Sequence, residues 1–153
     1  MHVVLALALA LHPAHFRGGG PWHVGASGVH RCVGAPAHCV ETGSWAGTVR
    51  WRDCWNCIPP HHTAAALPRD GVVIYLMRGR ERRRIRSSLR WPPRIRARAI
   101  VSPLEGLPSR IGAYERAGRV HGADAYLWVF FGRTHPTRRQ IALAQAELRT
   151  ARF

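Results

Sequence analysis

Six consecutive apolar residues, Val72-Val73-Ile74-Tyr75-Leu76-Met77, constrain the fold of this chain more than any other stretch. Most are β-branched or aromatic, and the run is shorter than an ordinary helix, so it reads as a strand buried on both faces. Leu67-Pro68-Arg69-Asp70-Gly71 leads into it as a tight turn, with Pro presetting φ and Gly accepting a positive one. A second run, Ala125-Tyr126-Leu127-Trp128-Val129-Phe130-Phe131, has the same character and stops at Gly132-Arg133. Two such ribbons are expected to lie side by side, and the second to form an antiparallel hairpin with the strand that precedes it.

Shorter signals fill in the rest. Ser44 to Arg52 alternates with period two, Trp45, Gly47, Val49 and Trp51 on one side, and reads as a half-buried strand with the Trp pair in the core. Ile111 to Arg116 reads as a short strand and Arg119 to Asp124 as a turn region. Thr134-His135-Pro136-Thr137 opens a helix that Thr134 or Thr137 can cap. Gln140, three residues after Thr137, completes a capping box. Ile141, Ala144 and Leu148 recur at helical spacing, and Arg149 and Arg152 suit the negative pole of the helix. The expected architecture is α+β: a mainly antiparallel sheet of about five strands with the C-terminal helix packed on one face.

The N-terminal stretch reads differently. Val3 to Leu11 is a nine-residue apolar run ended by His12-Pro13. It is too short to span a bilayer, which takes roughly 20 residues, but it has the length of a signal-peptide core, with Ala8-Leu9-Ala10 as a small-x-small cleavage site. No Arg or Lys precedes it, as a mis-called start codon would explain, and a buried strand or helix is the alternative. From Pro13 to Gly28 the chain is rich in Gly, Pro and His and reads as a flexible leader. The organisation expected is therefore a signal and leader over 1–28 and a Cys/His-containing segment with the first strand over 29–62. The sheet core and helix follow over 63–153, forming one domain with 44–62.

Cys32, Cys39, Cys54 and Cys57 are the only cysteines. In an exported chain they imply two disulfides of undetermined connectivity. The rival is a zinc site from the same four cysteines, for which His30, His38, His61 and His62 are substitute ligands, although six residues between Cys32 and Cys39 is wide for a zinc knuckle. Thiol–disulfide exchange at Cys54-Trp55-Asn56-Cys57 is disfavoured, because Ile58-Pro59-Pro60 prevents a helix from starting there to stabilise a thiolate.

The 153 residues carry 23 basic side chains against 8 acidic ones, a net charge of +15, and every basic residue is Arg. Absence of Lys points to a GC-rich genome, so part of the basicity reflects codon usage. Arg82, Arg83 and Arg84, then Arg94, Arg96 and Arg98, are the strongest concentrations. The second set alternates with Ile95, Ala97 and Ala99 as a stripe on a strand's outer face. Arginine forks suit phosphate, and Trp91 nearby offers a surface for stacking a base. The plain alternative is that such alternation keeps a strand solvated and its edge unpaired.

Leu67-Pro68-Arg69-Asp70-Gly71-Val72-Val73-Ile74, Trp91-Pro92-Pro93-Arg94, Tyr114-Glu115-Arg116 and the strand–Gly–helix from Phe131-Gly132 onward carry a resemblance. Over residues 45–153 the chain resembles a group of small uncharacterised exported or membrane-anchored α+β domains of high-GC Gram-positive bacteria. The resemblance implies that fold and a secreted or cell-envelope location, and it implies no catalytic residue.

Few acids are left for acid–base chemistry once Asp70 and Asp124 are assigned to turns and Glu147 to the helix. No nucleophile elbow, phosphate-binding Gly loop or metalloprotease His pair is present. The expectation is a monomeric, exported, non-catalytic accessory or binding domain without a cofactor, its basic surface meeting an anionic polymer or a membrane surface. The alternative is a zinc-stabilised nucleic-acid-binding protein with reduced cysteines.

Overall fold

The computed structural model describes residues 11–32, 39–54, 60–80, 85–101 and 105–153. Cys57, His38, Arg82, Arg83, Arg84 and residues 3–10 of the apolar N-terminal run lie outside them. Six strands form one antiparallel sheet: β1 (His23–Ala26), β2 (His30–Arg31), β3 (Val40–Gly47), β4 (Val72–Arg80), β5 (Gly112–Val120) and β6 (Ala123–Phe131). A short helix α1 (His61–Ala65) precedes β4, and α2 (Arg138–Leu148) follows the sheet. The strand order is β1-β3-β4-β6-β5, with β2 also on β3.

The two apolar runs are neighbours at the centre. Val72 lies opposite Phe131 and Tyr75 opposite Trp128, antiparallel throughout. Both faces of this pair are covered, which is why neither run alternates. On one face Val72, Ile74, Leu76, Leu127, Val129 and Phe131 pack against Ala144 and Leu148 of α2. On the other, Val73, Ala113 and Phe130 meet Ala64, Leu67, Leu107 and Ile111.

α2 starts where its capping box predicts. The Thr137 hydroxyl accepts from the Gln140 backbone N–H at 3.2 Å, and the Gln140 side-chain oxygen accepts from the Thr137 N–H at 3.0 Å. The Gln140 amide also donates to the carbonyls of Arg69 and Gly71, tying the helix start to the turn before β4. That turn closes with the Gly71 N–H donating to Pro68 at 2.9 Å. Gly71 does not use the positive φ expected of it. Its hydrogen is needed for space, since a Cβ would lie 2.8 Å from the Pro68 ring.

Three expectations are corrected. The alternating stretch 44–52 is strand only to Gly47, because the partner β4 begins at Val72 and no backbone remains to pair with. Thr48 and Val72 end the ladder, with Thr48 N–H donating to Val72 and Val72 N–H to the Thr48 hydroxyl. The chain then folds back and stacks Trp51 on Trp45 at 4.8 Å instead of placing them on one strand. β5 is longer than 111–116 and runs to Val120, and the turn narrows to His121-Gly122, both at positive φ, as a two-residue hairpin requires. Asp124 is therefore in β6, buried, with its carboxylate accepting from the Ile85 N–H at 3.1 Å.

Third, residues 13–28 are built into the domain. Ala14 and Phe16 are buried in the α2-side core, His15 exchanges both backbone hydrogen bonds with Arg152, and β1 lies along β3. The Gly18 N–H donates to the buried carboxylate of Glu147 at 2.9 Å. The glycines that suggest a leader supply positive φ at Gly18, Gly19 and Gly20, where the chain turns into β1.

Candidate arginine groove

Helix α2, the first half of β5 and the loop 89–99 line an open groove of about 1140 Å³. The loop contributes Arg90, Arg94, Arg96 and Arg98. β5 adds Arg116, α2 adds Arg138, and the C-cap of α2 adds Arg149. All seven are exposed, and no carboxylate lines the groove among the described residues. Like charges gathered over low-dielectric walls, with no acid between them, focus a positive potential into the groove.

The loop holds its shape through the helix. Gln145 accepts from the Ile95 N–H at 2.9 Å and donates to the Pro93 carbonyl at 3.1 Å. The Tyr114 hydroxyl donates to the Arg94 carbonyl at 3.2 Å. Ile95 is buried in the helix-side core, so Arg94 and Arg96 on either side of it point outward. Burial pushes the Tyr114 phenol up, against the opposing charge of Arg116 stacked 4.9 Å from its ring, so the phenol stays a neutral donor.

Arg94, Arg96 and Arg98 thus converge as expected, but on no strand. Residues 94–96 are extended loop, and Ala97–Ala99 form a 3-10 turn that swings Arg98 round the groove's end. The two prolines, Pro92 and Pro93, lack the backbone donors that a strand's ladder needs. Arg116 stands alone in sequence and gives no local signal. Arg138, Ala142 and Gln145, with the C-cap Arg149, recur at helical spacing along one side of α2, which is a signal the sequence carries. Trp91 lines the groove half-buried and packs in a T-shaped contact with Phe153 at 5.1 Å.

The sulfurs take a different role from metal ligation. Cys32 and Cys39 form a disulfide with Cα atoms 5.5 Å apart, linking the end of β2 to the start of β3. Neither sulfur is then a thiolate for zinc, and Cys54 is disulfide-bonded as well. Among the described residues no three His, Cys, Asp or Glu side chains gather where they would hold a metal ion. His30 lies on β2, while His61 and His62 lie on α1, where the Asp53 carboxylate accepts from the N–H groups of His62 and Thr63 and from the Thr63 hydroxyl. Asp53 is accounted for by this capping role.

The opposite face of the sheet carries an aromatic series, Trp45, Trp51, Tyr75, Trp128 and Tyr126, each ring stacked on the next at 4.8 to 6.1 Å. Rings whose faces are occupied by one another are packing, not a platform for a ligand. Among the described residues no helix is long and apolar enough to cross a membrane. Comparison of the chain with protein-family models, with curated proteins and with solved structures returned no match.

Proposed function

We propose that this protein is an exported, non-catalytic binding domain that holds a phosphate-rich anionic polymer along the arginine groove. The carrying observation is the convergence of seven exposed arginines from three separate segments on one groove that no carboxylate lines among the described residues. A charge excess that only kept the protein solvated would be spread over the surface, with acids interspersed. The Cys32–Cys39 disulfide suits an oxidising compartment, and that compartment is the reason for placing the partner in the cell envelope or medium.

The test is titration of the full chain with long-chain polyphosphate at several salt concentrations. Saturable binding is expected, with log K falling linearly in log salt and the Arg96→Ala/Arg98→Ala double variant binding more weakly with a shallower slope. Anionic lipid vesicles and single-stranded DNA serve as comparison arms. Tighter binding to either than to polyphosphate would reassign the partner. Salt-insensitive or absent binding to all three would overturn the proposal.

A further inference from the structure

At one end of the groove, and sharing Trp91 and Arg149 with it, lies a pocket of about 500 Å³. This is within the range of small-molecule sites, roughly 300–1,000 Å³. Its floor is Arg78 of β4, only 5 % exposed, with its guanidinium 4.7 Å from the centre of the Phe153 ring. Its rim is His12, His121, Arg149 and Arg152, all exposed. Among the described residues no Asp or Glu lines it.

A guanidinium taken out of water normally faces a carboxylate, because burial without a counter-charge is costly. Among the described residues Arg78 has no such partner. Nη1 donates to the His12 carbonyl at 2.6 Å, and Nε has no acceptor. Burial, and then Arg80 beside it, pull its pKa down. Trp91 adds a second buried donor without an acceptor at Nε1. His121 stands in the left-handed region at φ 47° and rests against Phe153 at 4.9 Å, which fixes the rim. Several cations and two orphaned donors, with no acid among the described residues, describe a site suited to an anion.

We infer that the Arg78 pocket binds a phosphoryl group, the terminal phosphate of the polymer whose chain lies in the arginine groove. The chain-end role rests on the groove reading; anion binding by the pocket does not. Tetrahedral oxygens can each meet a different donor, and a fork with two rim arginines suits them better than a point charge would.

The test is calorimetric titration of the full chain with inorganic phosphate, beside polyphosphate. Wild type is expected to bind inorganic phosphate saturably, and Arg78→Met to weaken it by about tenfold to a hundredfold. Met keeps the bulk beside Phe153 and removes an uncompensated charge, so ligand-free R78M should melt no lower than wild type. Trp91→Phe keeps the ring contact, loses the N–H and is expected to weaken phosphate severalfold. Arg96→Ala/Arg98→Ala should leave phosphate binding unchanged while weakening polyphosphate. Phosphate binding that depends on Arg78 without any polymer binding would keep the pocket and remove the groove reading. Wild type that binds polymer but not phosphate, or R78M that binds phosphate like wild type, would overturn the pocket.

Discussion

Gln145 carries no charge, yet its replacement should weaken an electrostatic interaction. Its amide makes two hydrogen bonds to the backbone of the arginine loop, at Ile95 and Pro93, and both positions are buried. A net hydrogen bond of this kind is worth about 1 kcal/mol, so Gln145→Met, which keeps the length and loses both bonds, should cost about 2 kcal/mol. For a chain of this size that is a fall in Tm of about 4–8 °C, read by thermal denaturation. Loosening the loop makes Arg94 and Arg96 pay ordering entropy on binding, so polyphosphate affinity should fall between about threefold and thirtyfold, the upper figure being the whole 2 kcal/mol. The salt slope should stay where it is, because no charge is removed. Wild-type Tm and affinity in Q145M would refute the clamp. A lowered Tm with unchanged affinity would show that loop geometry is irrelevant and that only net charge binds the polymer.

Other expectations follow from single contacts. Arg96→Ala should lower the salt slope by about 0.7, whereas Arg50→Ala, an exposed arginine on the bend after β3 and outside the groove, should leave it unchanged. Replacing Cys32 and Cys39 together by Ser frees a short loop, seven residues in separation, and should cost about 2.5 kcal/mol in denaturant unfolding; no loss would mean that the bond constrains nothing. Gly132→Ala should be worse, about 3 kcal/mol or more, since a methyl there would run into the Pro68 carbonyl oxygen. Burial, and then Glu41, raise the Tyr75 phenol above its ordinary 10.0, so the folded state holds that proton where the unfolded chain releases it. Its contribution is complete below pH 10 and is lost as pH rises beyond it, so denaturant melts should show stability falling from pH 10 to 11 and falling less in Tyr75→Phe; equal slopes would refute this.

The sheet's centre and the helix were readable from the chain because their determinants are local. An unbroken apolar run such as Val72–Met77 has to be covered on both faces whatever surrounds it. The Thr137–Gln140 box closes within a single turn, and its hydrogen bonds appear as written in the sequence. Register beyond the local pattern was not readable: Ser44 to Arg52 keeps its alternation, but the ladder ends at Gly47 because a partner 25 residues later starts at Val72. The Gly-rich segment 13–28 misled for the same reason, since what holds it is Glu147, Thr150 and Arg152 at the far end of the chain.

By itself the sequence determined two buried ribbons, a capped helix and a large excess of arginine, since apolar runs, caps and composition act over a few residues. Tertiary structure alone decided that Arg94, Arg116 and Arg138 share a groove, and that Arg78, near the end of β4, faces His12 and Phe153 with no counter-charge among the described residues. Coulomb interactions depend on distances in space, and those distances exist only after the ribbons have paired and the helix has settled on them.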